Sequence, residues 1–396
     1  MSILPETLTL TKASIYTNPQ NEADPLPRVY GDLTDGAEGI WKLPLIDSVN
    51  HVYAYAGHET LSAANGNSVT VYVDGVASGG VTFSESNNYE SQGTISTVTF
   101  TGAQGNAVVT ARGKGAPTAS AGATLMDNPI DIIDDALVAA GFNTTYYDST
   151  AKAVASAKAV SQGYTGAGVI VKDIAVWKLL QEILASFNPP QTNSYINQAG
   201  LLALNIDDGT VDAAPGVTRI DLSDFVFYEA EHRLDDLLNQ FEGNYRYNFT
   251  GSFFSAVTSS VSDAGSMSTF GTRQPEKPFE FKWMRTSAGV TTVLNIILAR
   301  FKQPLWVVKC RDSSMKRITL DVGDNVLASV KDLYDNLGNQ LVNEIWKILS
   351  ITPDRQGLEL SLLDTGTFFG STALYNGDDN YDGSIQYGGA RDTSPF

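Results

Sequence analysis

The spacing of apolar positions divides the chain into regions of different period. From residue 28 to 115 apolar and polar residues alternate in short runs. Val69-Thr70-Val71-Tyr72-Val73, Ile95 to Phe100 and Ala107 to Ala111 are rich in β-branched residues and predict strands. Between such runs lie Asp35-Gly36, Asn65-Gly66, Asp74-Gly75 and Gly79-Gly80, pairs that tolerate the positive φ of tight turns. Residues 28–115 therefore read as an all-β sandwich or barrel built from hairpins. Ahead of them, residues 1–27 are polar and broken by Pro5, Pro19 and Pro25. The alternation of Thr7 to Thr11 suits one strand of an N-terminal arm that pairs with a neighbour.

Residues 113–125, GKGAPTASAGATL, are small and predict a flexible linker. Beyond it the period changes to 3.6. Asn128-Pro129 followed by Ile130, Ile133, Ala136 and Leu137 predicts a helix with proline in its first turn, ended by Gly141. Ala151 to Val160 is a second helical stretch. A third is capped by Asp173, with Val176, Trp177, Leu180, Ile183 and Leu184 on one face, and stops before Pro189-Pro190. Tyr195 to Leu204 reads as a hairpin. Residues 126–214 are thus expected to form a small α+β insertion domain.

Residues 215–365 return to β. Phe225 to Tyr228, Tyr245 to Phe254, Leu305 to Lys309, Ile318 to Leu320, Glu344 to Ile351 and Leu358 to Leu363 predict strands. Ala230 to Phe241 predicts a short amphipathic helix, and Val290, Val293, Leu294, Ile297 and Leu298 place another within Thr286 to Phe301. Residues 366–396 form an acidic, Gly-rich tail, ordered against a partner if at all. The fold class expected is mainly β with an α+β insertion: two tube-like β-barrel or sandwich domains plus a small α+β domain.

Composition narrows the function. Among 396 residues, 44 Asp and Glu outweigh 26 Lys and Arg, a net charge of −18. That balance argues against a general nucleic-acid or anionic-membrane binder, which needs a basic face. One cysteine, Cys310, excludes an intramolecular disulfide and a Cys-based metal site, and three histidines make a His-rich one improbable. The N-terminus lacks a basic segment followed by a long apolar run, and no stretch approaches about 18 uninterrupted apolar residues. Neither a secretory signal nor a membrane span is expected, which places synthesis and assembly in a cytoplasm.

Each candidate constellation competes with a plainer reading. Asp378, Asn380, Asp382 and Gly383 match the start of a calcium loop, but Gly389 stands where a bidentate Glu is needed, which favours a solvated acidic loop. Gly163 to Gly168 has the glycines of a phosphate loop without the strand before and helix after, which favours a turn. His58-Glu59 and Glu231-His232 are the His–carboxylate neighbours, and neither GxSxG nor HExxH is present. Trp283, Trp306 and Trp346, with Phe279 and Phe281, suit carbohydrate stacking if exposed and a core or interface if not. Asp321 and Asp324 read as braces of a strand–turn–strand. No acidic pair stands out as a glycosidase pair among so many carboxylates. No catalytic, cofactor-binding or metal-ligating residue is assigned, and no cofactor is expected.

Three stretches, in order, resemble the tail-tip or baseplate hub proteins of tailed bacteriophages, the siphophage-type central hub. The first runs from Val29-Tyr30-Gly31-Asp32 through Trp41-Lys42-Leu43-Pro44 to Tyr72-Val73-Asp74-Gly75-Val76, and is similar to the N-terminal β module. The second is Asn128 to Leu137, continued by Trp177 to Phe187 and the Tyr195 to Leu204 hairpin, and resembles the helical insertion. The third is Leu320 to Val326, then Glu344 to Asp354 and Gly357 to Leu360, similar to the second tube-like barrel. Together they cover most of residues 28–365. The chain departs from the family in lacking a murein-hydrolase module and fibre-attachment repeats, and in being short.

The resemblance implies a non-enzymatic virion protein that closes or extends the tail tube and organises the DNA exit channel. It implies a homotrimer whose two barrels per subunit make a pseudo-sixfold ring. Its partners are then the distal tail protein, the tape measure protein and tip or fibre proteins, with genome DNA passing without specific binding. The location implied is the tail tip of the virion, after assembly in the host cytoplasm. The acidic balance agrees, since a negative lumen repels phosphate. The alternatives are a distal tail or tube protein, for which one barrel suffices, and a carbohydrate-binding tip protein or depolymerase.

Overall fold

The computed structural model describes residues 26–368 except 37, 89–93, 121, 173, 188–192, 198, 207–218, 222–226, 234–235, 313–319, 321–323, 330–332, 335–343 and 356. The fold is mainly β with α insertions. The Thr7 to Thr11 strand, the Asp173 cap and the acidic tail loop lie outside the described residues.

The N-terminal part contains β1 (Arg28–Tyr30), β2 (Asp32–Leu33), β3 (Trp41–Lys42), β4 (Leu45–Asp47), β5 (Val52–Ala56), β6 (Thr70–Val73), β7 (Val76–Ser78), β8 (Val81–Asn88), β9 (Thr94–Phe100) and β10 (Val109–Lys114). One sheet runs β2-β10-β6-β7, with β3 also paired to β10, and a second runs β4-β5-β9-β8. The two sheets share a core that includes Leu33, Trp41, Tyr53, Tyr55, Val71 and Val98. Strand β5 is buried on both faces: Tyr53 and Tyr55 enter that core, while Val52 and Ala54 pack with Leu26, Ile46 and Ile95. Alternation along an extended strand sends successive side chains to opposite faces. The β6–β7 hairpin closes through Asp74 and Gly75, with φ of 48° and 81°. Two positive φ values in a two-residue loop match the strand twist.

The presumed linker over 113–125 is a paired segment instead. Gly115 N–H donates to Gly31 O, Ala116 N–H to Val29 O, and Thr118 N–H to Thr124 O. Its small residues permit close approach rather than flexibility: a Cβ on Gly115 would stand 2.3 Å from Val29 O.

Next come α1 (Pro129–Ala139), α2 (Ser149–Ser161), β11 (Gly168–Ile170), α3 (Val176–Phe187), β12 (Asn193–Ile196) and β13 (Leu202–Asn205). The Asn128 side chain accepts from Ile130 N–H ahead of Pro129, and Asp148 caps α2 through Thr150 and Ala151. Strands β12 and β13 form the expected hairpin. Trp177, expected on the buried face of α3, is 44% exposed. At roughly 100° per residue it falls on the border of the arc centred on Leu179, Ile183 and Phe187, in the first turn.

The C-terminal part contains β14 (Arg219–Asp221), β15 (Phe227–Arg233), β16 (Gln240–Phe241), β17 (Gly243–Asn248), β18 (Phe253–Val257), β19 (Val261–Ser262), α4 (Ala264–Phe270), β20 (Phe279–Glu280), α5 (Ser287–Phe301), β21 (Leu305–Asp312), β22 (Asn325–Ser329), β23 (Glu344–Asp354) and β24 (Gly357–Phe368). A six-stranded sheet runs β14-β22-β23-β24-β21-β15, with Cys310, Val326, Trp346, Ile348, Leu360 and Leu362 in its own core. The helix expected over Ala230 to Phe241 is not formed. Residues 227–233 pair along their whole length with β21, and Leu237 to Asn239 carry no regular secondary structure. The expected strand over Tyr245 to Phe254 is two strands, β17 and β18, turned at Thr250 to Ser252. Residues between β16 and α5 do not join the C-terminal sheet's core. Phe241, Phe281, Trp283 and Val290 pack with α1 and α3 in one large cluster.

Candidate functional site

Strand β1 belongs to two cores at once. Val29 points into the β-sandwich core, and Tyr30 into the helical cluster. On its far edge β1 pairs antiparallel with β11, Val29 opposite Val169. Around this shared strand three groups of polar side chains join residues far apart in sequence.

The first group surrounds Trp283, whose ring is fully buried. Its Nε1–H donates to Glu182 Oε1 at 3.0 Å, and its backbone N–H donates to Ser186 Oγ at 3.1 Å, so α3 holds it at two points. Glu182 Oε2 accepts from Lys282 Nζ at 2.8 Å. The Lys282 ammonium sits 4.9 Å from the centre of the Tyr247 ring and 5.5 Å from that of Phe249. Its charge is met by a carboxylate and by two aromatic faces.

The second group is centred on Asp35, in the β2–β3 connection. Its Oδ1 accepts from Arg285 Nε at 2.9 Å and Nη2 at 2.6 Å. Its Oδ2 lies 2.8 Å from Arg246 Nε. Arg285 Nη1 donates to Tyr247 O at 2.8 Å. Arg285 is 8% exposed, and burial lowers its pKa despite the neighbouring Asp35 carboxylate. Arg246 adopts φ of 58°, a left-handed conformation that turns its guanidinium toward Asp35 and Arg285 O.

The third group links β1, α1 and the turn after β5. Arg28 Nη2 donates to Asp135 Oδ2 at 2.6 Å, and the Tyr30 hydroxyl donates to the same oxygen at 2.7 Å. Arg28 Nε donates to Tyr30 Oη at 3.0 Å. His58 Nε2 accepts the Val29 backbone N–H at 2.9 Å, and its Nδ1 lies 2.7 Å from Glu59 O. The imidazole stacks on the Tyr30 ring at 5.9 Å. Burial, then the Arg28 charge, pushes the His58 pKa down to about 4. Burial pushes the Tyr30 hydroxyl up. Burial also works against the Asp135 charge, but Arg28 and the Tyr30 hydrogen bond outweigh it and hold that carboxyl below its usual range.

These groups join segments that are distant along the chain. Most of their donors and acceptors are directed at one another and at backbone of the facing segment, and their hydroxyls are spent in the same way: Ser186 Oγ accepts the Trp283 N–H and the Tyr30 hydroxyl donates to Asp135. Among the described residues no three His, Cys, Asp or Glu side chains come together to hold a metal ion. A small gap between α1 and α3 is lined by the buried side chains of Ile133, Ala136, Leu137, Val176, Leu179, Leu180 and Ile183, with no polar side chain among them.

The residues singled out in the sequence are dispersed. Gly163, with φ of 66°, ends α2, and Gly168 opens β11, so this glycine run is a turn followed by a strand. Trp283, Trp346 and Phe281 are fully buried, and Trp306 donates its Nε1–H to Tyr334 O at 3.0 Å. Glu231 lies in β15, paired through residue 231 to Val307; the His232 side chain lies outside the described residues. Asp321 also lies outside them, while Asp324 O accepts from Ile348 N–H. Of the His–carboxylate neighbours only His58 enters one of the three groups, and through Val29 rather than through the Glu59 carboxylate. Asp35, Asp135, Glu182 and Arg285 carried no signal of a site in the sequence: Asp35 reads as part of a turn pair with Gly36, and Asp135 as one position of the α1 stretch. Each is an isolated charge whose partner lies 100 or more residues away along the chain. No helix among the described residues is long and apolar enough to cross a membrane, which leaves β-barrel spans aside.

No protein-family model matches the chain, and no curated protein matches it. Solved structures do. The prophage tail protein gp18 from Listeria monocytogenes EGD-e aligns at 11% identity and a TM-score of 0.30, over 49% of this chain and 54% of that one. The match therefore spans about half of that protein's length. A tail protein from Neisseria meningitidis MC58 aligns at 13% identity and 0.34, over 75% of this chain and 83% of its own. The 43 kDa tail protein of prophage MuSo2 from Shewanella oneidensis aligns at 13% and 0.28, over 85% and 88%. Overlaps this loose carry no argument about residues or assembly.

Proposed function

We propose that this chain is a structural protein of a bacteriophage tail and forms the hub of its tip or baseplate. The observation that carries the reading is the architecture. Two β parts with separate cores flank an α+β part: Arg28–Asp135 ties the first β part to α1, Asp35–Arg285 ties it to the C-terminal part, Trp283 ties that part to α3, and residues 113–125, expected to be a flexible linker, are paired to β1. A chain built in this way resists hinge motion and suits a load-bearing ring. The stretches behind the resemblance occupy coherent places: Val29-Tyr30 is the shared strand, Asn128 to Leu137 is the cap and body of α1, and Val326 pairs with Trp346 in the C-terminal sheet.

In this reading three copies close a ring around the DNA path, two β parts from each making six similar positions. The ring binds the distal tail protein on one side and tip or fibre proteins on the other. The net charge of −18 keeps the genome from adhering as it passes. The protein is non-enzymatic, consistent with the joining role of its buried polar groups. The carbohydrate reading loses most of its platform, because Trp283, Trp346 and Phe281 are fully buried, while Trp306 and Phe279 stay half-buried.

The test is the symmetry of the purified protein by negative-stain class averages, together with its solution mass. A threefold ring with a central hole is expected. A sixfold ring moves the assignment to a distal tail or tube protein, and a persistent monomer that is absent from particles overturns the structural reading.

A further inference from the structure

Strand β1 is held to the β sandwich by a side chain that can take up a proton. His58, in the turn after β5, accepts the Val29 N–H through Nε2 at 2.9 Å. A backbone amide only donates, so Nε2 must be unprotonated. The other nitrogen, Nδ1, lies 2.7 Å from Glu59 O and must carry the proton. Both ring nitrogens are thereby committed, and the neutral Nδ1–H tautomer is the one that satisfies both contacts. A second proton on Nε2 would set an N–H against an N–H, so the Val29 contact has to break. The ring is packed on Tyr30, which also sits 6.5 Å from Trp283, so its departure disturbs the joint between the two cores.

We propose that His58 is an acid-released latch: neutral, it fastens β1 to the turn after β5, and on protonation it lets go of Val29 and loosens the joint between the β sandwich and the helical cluster. This inference rests on the geometry around β1 and is independent of the hub reading. The charged and titratable groups facing the ring are Arg28 and Tyr30 of β1, Asp135 of α1, and Glu59 of the same turn. Arg28 opposes the proton, and the two carboxylates favour it. Asp135 is already engaged by Arg28 and Tyr30, and Ser120 donates to Glu59 Oε2 at 2.7 Å. Burial and Arg28 prevail and delay protonation to about pH 4, against about 6.5 for a free ring.

The size of the effect follows from linkage. The opened state binds a proton near pH 6.5 and the latched state near 4. Opening therefore becomes roughly tenfold easier per pH unit between those values, about 300-fold in all, and levels off below.

The test is amide hydrogen exchange of the full chain from pH 7 to 3.5, corrected for intrinsic rates and read at Val29 and across the β1–β11 pairing. Wild type is expected to lose protection there by about one log unit per pH unit over that interval. In His58→Gln the side-chain oxygen stands near the place of Nε2 and accepts without titrating, so its protection is expected to stay flat. Selectively labelled histidine NMR on wild type reads the latch even if the variant does not fold: the Nδ1–H tautomer should persist at pH 5. A flat wild-type profile, an equal slope in His58→Gln, or a His58 that protonates near pH 6.5 would each overturn the proposal.

Discussion

Gly168 lies against the indole of Trp283: a Cβ built on Gly168 would stand 2.5 Å from Cε3 and 2.6 Å from Cζ3. Neither side has room to yield. The indole is held by Glu182 and Ser186, and β11 is held by its pairing with β1. Gly168→Ala is therefore expected to destabilise the fold by about 3 kcal/mol, the upper range of overpacking. Urea denaturation measures it. Gly79→Ala, with nothing within 4 Å of its added Cβ, is the control and should be near neutral. Equal midpoints for the two variants would mean that the ring shifts freely, contrary to its two anchors.

Asp35 and Arg285 make a second prediction. Removing the carboxylate leaves an almost fully buried guanidinium with Tyr247 O and no counter-charge of its own. Asp35→Ala is expected to cost about 3 kcal/mol, the low end for breaking a buried pair, because Asp35 keeps some contact with water. Replacing both partners, Asp35→Ala with Arg285→Met, should recover much of that loss, since the desolvation penalty of the lone charge disappears. A double-mutant cycle by chemical denaturation checks this. If the two losses simply add, the pair is not coupled and the seam is held by packing alone.

Much of the local structure was legible in the sequence, and the joints between segments were not. Asn128-Pro129 announced α1 because a cap and an N-terminal proline act within one turn. Asp74-Gly75 announced the β6–β7 hairpin for the same reason. The helix expected over Ala230 to Phe241 does not form: Leu237, Leu238 and Phe241 suit one, but Ala230 to Arg233 continue the strand expected over Phe225 to Tyr228 and are captured by Leu305 to Val308 of β21, far along the chain. Small residues at 113–125 suggested freedom, where they serve close packing against β1. Asp35 and Arg285 are 250 positions apart, and nothing local in either marks the other. His58 was visible beside Glu59, yet its working partner is a backbone amide that no residue type reveals.

The Tyr30 hydroxyl gives a milder test of the same joint. Tyr30→Phe removes two hydrogen bonds, the one its hydroxyl donates to Asp135 Oδ2 and the one it accepts from Arg28 Nε, and leaves the Arg28–Asp135 pair in place. A loss of about 2 kcal/mol is expected at neutral pH, roughly 1 for each bond. Asp135 is held below its usual range, so the stability it contributes is present above the unfolded carboxyl pKa and is lost as pH falls through the folded value. With one of its hydrogen bonds gone, the Asp135 pKa should rise toward the ordinary value and that contribution should shrink. Thermal melts of both proteins from pH 7 to 3 measure it; parallel curves throughout would show that the hydroxyl does not act through the Asp135 charge.

The His58 latch also predicts the pH dependence of global stability. A base whose folded pKa is depressed favours folding most when neutral. Its contribution is therefore fully present above the unfolded value near 6.5 and lost progressively as pH falls to about 4. The shift corresponds to about 3 kcal/mol. Carboxylates titrate in the same window in every variant, so the informative quantity is the difference between wild type and His58→Gln. That difference should move in favour of the variant by about 3 kcal/mol between pH 6.5 and 4, and stay constant from pH 7 to 9. Urea denaturation at each pH gives the curve. A difference that stays constant through the acid range would mean that His58 enters the unfolded and folded states with the same proton affinity, and the Val29 contact would then contribute nothing that depends on the state of the ring.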